Sequence, residues 1–171
     1  MIARGIAAID ITAELKKLGL ERVVTVPDTH QRSLHTEIAG DPYFSLTVAS
    51  TEDEAVGICA GLWWGGVEPL MVIQHAGVFA SVNTLRGIGV DMAIPITMLV
   101  GLYNRDPSLP PEAASGSMAS TNRLLRPLLQ TLGIESDLME GPDDIEAIAR
   151  SYRRAHEQLR PAVALVGAET L

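Results

Sequence analysis

Hydrophobic and polar positions along this chain follow two periods in turn. Residues 3–18 place apolar side chains at helical spacing, with charged residues between them: Ile6, Ile9, Leu15 and Leu18. Gly19 is positioned to end this predicted helix. Residues 23–26 follow as a short, apolar and β-branched run, which is typical of a buried strand. The chain therefore opens with one helix and one strand.

The same alternation continues to the end of the chain. It predicts further strands over 44–49, 69–74, 94–100, 134–139 and 162–166, and further helices over 30–40, 52–64, 78–89, 121–132 and 143–158. A turn is expected at 75–77, and a Pro/Ser/Ala-rich segment at 101–120 is expected to be a functional or disordered loop. This order predicts an open, mostly parallel six-stranded sheet with helices on both faces, in a single domain spanning residues 1–171.

Composition narrows the classes of function. The chain of 171 residues is 47% hydrophobic and 20% charged, which is typical of a globular protein, and its formal net charge is -8. An acidic balance argues against nucleic acid or an anionic membrane as the main partner. The absence of a 20-residue apolar run and of a signal-peptide pattern, together with a single cysteine, Cys59, favours a cytoplasmic location. No Cys/His cluster has metal-ligand spacing, so no metal ligands are predicted.

The stretch from Ser50 to Gly61 changes character within a few residues. It opens with hydroxyl and carboxylate side chains and continues with small and apolar ones. Thr51 and Glu54 have the spacing of a capping box, so a helix is expected to begin here, and acids in a first turn also suit the helix dipole. Small residues additionally let a flat ligand or another backbone come close, and Glu52 follows a strand at the sheet edge where ligands bind.

Other titratable residues fall in the loops after predicted strands. Asp28 and His30 follow the first strand, and His75 follows the third. Histidine suits proton transfer near neutral pH. Each also has a structural interpretation: Asp28 as a turn residue or helix cap, His30 as cover for a helix start, and His75 as a hydrogen-bonded structural histidine. Cys59 is expected to be a buried apolar residue, and Trp63 is expected, like Trp64, to serve packing either in the core or at an interface.

Three stretches resemble one enzyme family. Residues 26–28 (Val-Pro-Asp), residues 51–61 (Thr-Glu-Asp-Glu-Ala-Val-Gly-Ile-Cys-Ala-Gly) and residues 74–77 (Gln-His-Ala-Gly), followed by 81–85, come in the order and on the elements expected. Together they look like the pyrimidine-binding domain of the thiamine diphosphate-dependent phosphonopyruvate and sulfopyruvate decarboxylases. The chain length is similar to that of the separate alpha subunit of sulfopyruvate decarboxylase.

The resemblance implies roles for individual residues. Glu52 matches the glutamate that hydrogen-bonds the pyrimidine nitrogen N1′ of thiamine diphosphate, and is therefore both catalytic and cofactor-binding. Asp28 matches an acid that assists proton transfer. Gln74 and His75 match a polar pair that faces the reactive side of the cofactor, with His75 as a catalytic residue, and Gly77 adjoins them at the cofactor. His30, Gln74 and Arg105 are the candidates for binding a small 2-keto acid substrate.

The chain also departs from the family pattern. It lacks the Gly-Asp-Gly motif with a distant Asn that holds Mg²⁺ and the diphosphate. The resemblance therefore implies a partner, a diphosphate-binding beta subunit, that would hold the Mg²⁺ and the diphosphate of the cofactor, with the active site at the interface. Residues 104–107 and 114–118 differ from the decarboxylases, which leaves the identity of the 2-keto acid open.

Three alternatives stay open at this point. A carboligase subunit would use the same site but pass the activated carbon to an aldehyde. A non-catalytic regulatory or binding subunit would keep only the fold, although the joint presence of Glu52, Asp28 and His75 weighs against it. A generic doubly wound nucleotide binder is disfavoured because no Gly-x-Gly-x-x-Gly follows the first strand.

Overall fold

Helices and strands alternate through the part of the chain that the structure, a computed structural model, describes: residues 5–106, 108–110 and 119–171. The strands are β1 (Arg22–Thr25), β2 (Ser45–Val48), β3 (Pro69–Gln74), β4 (Thr97–Gly101), β5 (Ser136–Met139) and β6 (Ala162–Val166). The α-helices are α1 (Ala8–Lys17), α2 (Arg32–Gly40), α3 (Glu52–Trp64), α4 (His75–Ala80), α5 (Val82–Thr84), α6 (Ala119–Thr131) and α7 (Ala147–Gln158). A π-helical segment spans Leu85–Asp91, and a 3-10 turn spans Pro142–Asp144.

All six strands are parallel and form one sheet in the order β2-β1-β3-β4-β6-β5. The predicted fold class is confirmed. The strand order reverses between β1 and β3, since the chain first moves from β1 to β2 and then crosses back to β3. In open α/β sheets, ligands bind outside the carboxyl ends of the strands at such a switch point. The loops after β1 and β3 therefore flank the place where a ligand is expected.

The sheet is covered on both faces by apolar layers. On one face α3, α4, the π-helical segment and α6 pack against β-strand side chains such as Val24, Met71 and Met98. On the other face α1, α2 and α7 pack against Val23 and Leu70. Strands β4 and β6 are buried along their whole length, which explains why both read as continuous apolar runs.

The start of α3 is capped as its sequence predicts, with one difference. The Thr51 hydroxyl accepts a hydrogen bond of 3.3 Å from the backbone N–H of Glu54. The Glu54 carboxylate in turn accepts one of 2.6 Å from the N–H of Ser50, the residue before the cap. Glu52 therefore occupies the first helical position, directly after the N-cap residue Thr51.

The region after β3 differs from its prediction. Residues 75–77 are the first turn of α4 instead of a loop, and the single helix expected over 78–89 is divided. The Ser81 hydroxyl donates a 2.7 Å hydrogen bond to the carbonyl of Gly77, which competes with regular helix geometry where α4 ends. Near the other end, Gly89 packs so closely on Pro161 that a Cβ would lie 2.5 Å from its Cγ. The helix is therefore interrupted next to a local hydrogen bond, and its π-helical part packs closely on the residue before β6.

Smaller differences affect other boundaries. The strand predicted from residue 94 begins at Thr97, and α7 begins at Ala147 after the 3-10 turn. Part of the predicted loop at 101–120, namely residues 107 and 111–118, lies outside the described residues, as do residues 3 and 4 of the predicted first helix. Cys59 is fully buried, and burial raises the pKa of its thiol to about 12, which confirms an apolar packing role. Trp64, by contrast, is 64% exposed and does not pack in the core.

Within the described ranges, no helix has the length and apolar character that crossing a membrane requires.

Candidate functional site

The carboxyl edge of the sheet brings the predicted site residues of several loops together. Asp28 and His30 follow β1, Glu52 follows β2, and His75 begins α4 directly after β3. Asp28, His30 and His75 are close enough for their charges to act on one another. The structure therefore assembles a carboxylate and two histidines at the switch point of the sheet.

Asp28 is held from two directions by one residue. The backbone N–H of Gln31 donates to Oδ1 at 2.8 Å, and the side-chain amide of Gln31 donates to Oδ2 at 2.8 Å. The His35 ring lies on the other side, where its Nε2 accepts from the backbone N–H of Asp28 at 3.3 Å and lies 3.9 Å from Oδ2. The Asp28 side chain is only 2% exposed. The Asp28 carboxylate is therefore buried and held in a fixed orientation.

The surroundings keep this buried carboxyl ionised. Burial by itself raises the pKa of Asp28, but the His35 ring and the two Gln31 hydrogen bonds more than offset it, so that the pKa lies below its ordinary value. The 3.9 Å separation from His35 is too long for a hydrogen bond, so the direct bonds to the carboxylate are those of Gln31. Asp28 thus carries a negative charge at neutral pH.

His75 is fully buried at the start of α4. Its Nε2 lies 3.0 Å from the Thr121 hydroxyl, with which it is hydrogen-bonded, and its buried Nδ1 has no hydrogen-bond partner in the described part of the chain. Burial, and to a smaller extent the nearby His30, lower the pKa of His75, Asp28 opposes them in part, and the resulting pKa is about 4. The ring is therefore neutral at pH 7, and its buried Nδ1 has its hydrogen-bonding capacity unused among the described residues.

His30 spans the sheet edge from the β1 loop to the end of β6. Its Nε2 donates to the carbonyl of Val166 at 2.8 Å, and the side chain is almost fully buried. Burial is the largest influence on the pKa of His30 and lowers it, while the carbonyl of Val166 and the charges of Asp28 and Glu169 oppose this effect. His30 is also neutral at pH 7, and part of its hydrogen-bonding capacity is already used inside the protein.

Glu52 lies against the first turn of α4. A Cβ added to Gly77 would be 2.4 Å from Cγ of Glu52 and 2.5 Å from its Oε1, so only glycine fits at position 77 with Glu52 in this place. Gln74 is half-buried at the N-cap of α4, and its side chain makes no capping hydrogen bond. Glu52, Gln74 and Gly77, the predicted cofactor contacts, thus share one side of the switch point.

Arg105 lies farther along the edge, in the loop after β4. Its guanidinium donates to the Glu140 carboxylate at 2.6 Å, to the carbonyl of Leu109 at 2.7 Å and to the carbonyl of Asp106. The side chain is only 1% exposed. The structure therefore commits Arg105 to contacts that shape its own loop, and a substrate anion would have to take the place of Glu140.

Four contributors were not among the predicted site residues: Gln31, His35, Gly101 and Thr121. Gln31 follows Asp28 by three residues, and Asp-x-x-Gln before a helix is a capping pattern that would have drawn attention to it. Thr121 and Gly101 reach the site only through the strand order, so local sequence patterns do not reveal them. Among the described residues, no group of three or more His, Cys, Asp or Glu side chains has the arrangement to hold a metal ion.

Comparison with known proteins reveals several relatives. No protein-family model matches the chain. It is 26% identical over 156 residues to a sulfopyruvate decarboxylase of Methanosarcina acetivorans, which covers 89% of this chain and 38% of that protein. It is 30% identical over 90 residues to the sulfopyruvate decarboxylase subunit alpha of Methanothermobacter thermautotrophicus, covering 53% of this chain and 54% of the subunit. It is 29% identical over 94 residues to a phosphonopyruvate decarboxylase of Streptomyces viridochromogenes, covering 55% and 24% respectively.

These alignments span between 24% and 54% of the lengths of the three relatives. Three of the curated relatives carry subunit alpha in their names and match about half of their own length. The resemblance that the sequence indicates is confirmed, since the chain is similar to curated sulfopyruvate and phosphonopyruvate decarboxylases.

Proposed function

We propose that the chain is the alpha-like subunit of a thiamine diphosphate-dependent decarboxylase of small 2-keto acids, of the sulfopyruvate and phosphonopyruvate type. The observation that carries this proposal is the contact between Glu52 and Gly77 at the start of α4, whose first residue, His75, lies in the field of Asp28. The curated names of the relatives support the reaction class. The name subunit alpha supports a partner subunit.

The residues at the edge fit a pyrimidine ring. Because Gly77 has no side chain, the Glu52 carboxylate can lie against the first turn of α4, and the buried Nδ1 of His75 is without a hydrogen-bond partner in the described ranges. Glu52 would hydrogen-bond the ring nitrogen N1′, and Gln74 and Gly77 would lie against the ring. Mg²⁺ and the diphosphate would be held mainly by a diphosphate-binding partner subunit. When bound, thiamine diphosphate supplies the electron sink that loss of CO₂ from a 2-keto acid requires.

The ionisation states of the edge residues suggest how protons are handled. Asp28 is negatively charged at neutral pH and can hold or accept a proton, whereas His75 and His30 are neutral and act as hydrogen-bonding groups. A neutral imidazole can orient a keto or carboxylate oxygen without itself being charged. His30 and Gln74 would make the first contacts with the substrate, and Arg105 would join them only by exchanging its bond to Glu140.

The test is a reconstitution. CO₂ release would be measured for the chain alone and for the chain mixed with a candidate diphosphate-binding subunit, with Mg²⁺, thiamine diphosphate and a panel of 2-keto acids that includes sulfopyruvate and phosphonopyruvate. We expect activity in the mixture alone. If the mixture released no CO₂ from any of the 2-keto acids, the proposal would be contradicted. Products extended by an added aldehyde would instead identify a carboligase.

Glu52→Gln is the decisive variant. It should lower kcat by about 10²- to 10⁴-fold while leaving subunit association unchanged, because the amide cannot share a proton with a ring nitrogen as a carboxyl group can. Glu54→Gln is the matched control, since its amide oxygen can still accept the hydrogen bond from Ser50. Near-normal turnover in Glu52→Gln would overturn the role given to Glu52.

A further inference from the structure

Gln31 joins three elements of the carboxyl edge through one buried side chain. It is 0% exposed, and its Nε2 donates both to Oδ2 of Asp28 at 2.8 Å and to the carbonyl of Ile73 on β3 at 3.0 Å. Its backbone N–H donates to the second oxygen of Asp28 at 2.8 Å. On β4, a Cβ at Gly101 would lie 3.0 Å from the same Nε2. One amide therefore ties the Asp28 carboxylate to the centre of the sheet.

The hydrogen bonds allow only one orientation of this amide. Both acceptors that face Nε2, a carboxylate and a carbonyl, require an N–H, so a flipped amide would set oxygen against oxygen. The Oε1 atom is left buried without a hydrogen-bond partner in the described ranges. A buried acceptor in this state is unfavourable, because it has lost its contact with water without gaining a donor. An apolar side chain of similar length would avoid that cost, so the amide is poorly explained by packing alone.

We propose that Gln31 is a positioning residue, which fixes the orientation and the ionisation of the Asp28 carboxylate at the carboxyl edge of the sheet. This inference rests on the proposed function in so far as Asp28 handles protons in the reaction. Gln31 itself acts through Asp28 and contacts no reacting atom in this assignment.

The neighbours of Asp28 make its state depend on Gln31. The titratable groups that face it are His35 on α2, His30 in the β1 loop and His75 on α4, and Glu169 acts on the same cluster through His30. His35 makes no direct hydrogen bond to the carboxylate. Removing the Gln31 side-chain amide would take away one of the influences that lower the pKa of Asp28, while the Gln31 backbone bond and the His35 ring remain. Burial would then be opposed less strongly, so the pKa of Asp28 should rise, and Oδ2 would lose its direct hydrogen bond.

The first measurement is independent of catalysis. The carboxyl carbon of Asp28 would be followed by ¹³C NMR as a function of pH in the 171-residue chain, with Asp28→Asn used to assign the signal. In Gln31→Met, Asp28 should titrate at a higher pH than in the unchanged protein. The urea midpoint of unfolding should fall modestly, because Asp28 Oδ2 and the Ile73 carbonyl each lose a donor, although the variant also removes the unpartnered Oε1. Gln158→Met is the matched control. It removes an exposed hydrogen bond of 2.6 Å from the Gln158 side-chain amide to Glu135, at the opposite edge of the sheet.

The second measurement uses the reconstituted enzyme. Gln31→Met should lower kcat by about 10- to 100-fold with KM within about twofold, as expected when a reacting group is displaced without loss of substrate contacts. Gly101→Ala, which presses on Nε2 from β4, should have a smaller effect in the same direction. Gln31→Glu should move the acid limb of the pH profile to higher pH, because two facing carboxyl groups then share a proton.

The outcomes separate the two proposals. An unchanged titration of Asp28 in Gln31→Met overturns the positioning role, whatever the enzyme does. A shifted titration with unchanged kcat and pH profile also overturns it, because Asp28 would then not need to be held for the reaction. A reconstituted enzyme inactive towards every 2-keto acid overturns the proposed function. A shifted titration in that case would still support Gln31 as the residue that sets the state of Asp28.

Discussion

Gly77 and Glu52 occupy nearly the same space: a Cβ on Gly77 would lie 2.4 Å from Cγ of Glu52 and 2.7 Å from its Cδ. The contact joins the first turn of α3 to the first turn of α4. The Glu52 side chain can take this place only because residue 77 has no Cβ. The position of the carboxylate therefore depends on a glycine that follows another strand.

We expect Gly77→Ala to displace Glu52. Alanine usually favours a helix by about 1 kcal/mol over glycine, but the overlap with Cγ and Oε1 should cancel that gain and turn Glu52 away from the edge. A decrease of about 10- to 100-fold in CO₂ release is the expected result. Gly40→Ala is the control, because no atom lies within 4 Å of a Cβ there. Full activity in Gly77→Ala would show that the placement of Glu52 is not needed.

His75 should make the protein less stable in weak acid. Its folded-state pKa is lowered to about 4 by burial first, while the unfolded chain takes up the proton near the ordinary value of 6.5. The unfolded state thus binds more protons between these values, and the unfolding free energy should fall by as much as about 3 kcal/mol as the pH decreases from 6.5 to 4. Urea unfolding at several pH values would measure this loss.

His75→Gln should flatten that decrease, because glutamine does not titrate. His156→Gln, beside Glu68 at the opposite edge of the sheet, should leave it in place. An equally steep loss of stability in His75→Gln would assign the acid sensitivity to other groups.

Arg105→Lys should affect folding more than substrate binding. A lysine cannot supply the contacts that the guanidinium makes with Glu140, Leu109 and Asp106, so one or more buried acceptors lose a partner. We expect the unfolding free energy to fall by about 1–3 kcal/mol and KM to change little. A large increase in KM with unchanged stability would support direct binding of a substrate anion by Arg105.

Thr51→Ala should loosen the first turn of α3. The hydroxyl bond to Glu54 N–H is the side-chain cap of this helix, and its loss usually costs about 1 kcal/mol. Thr51→Ser keeps the oxygen and should retain most of the stability. Thermal unfolding of both variants would compare them, and equal midpoints would show that the Glu54–Ser50 bond is sufficient as a cap.

Elements with strong local signals were predicted from sequence alone. Strands β3 and β6 have the predicted bounds, because continuous apolar runs bounded by turn residues are clear without tertiary information. Gly19, with a positive φ of 73°, follows the last turn of α1 as expected. The turn predicted at 75–77 was wrong, since Gly77 is present for its contact with Glu52 and does not interrupt the helix.

The sequence indicated which residue types lie at the candidate site, but not the hydrogen bonds that join them. Asp28, Glu52 and His75 could be named because each follows a strand and matches a family motif. Gln31 was overlooked as a functional residue, and its importance depends on its bond to Ile73, 42 residues away. The Arg105 interaction with Glu140 was also invisible, because it joins loops 35 residues apart.

The sequence by itself determined the alternation of elements, the cap of α3 and the residue types at the strand ends, since these depend on neighbours within a few positions. The tertiary structure decided which of those residues meet. The strand order β2-β1-β3-β4-β6-β5 cannot be predicted from the local pattern of hydrophobic residues, because parallel strands pair through long crossover connections. This strand order lets His30 hydrogen-bond to the carbonyl of Val166, 136 residues away, and buries His75 near Asp28. Burial and neighbouring charges at this edge then decide which side chains are ionised.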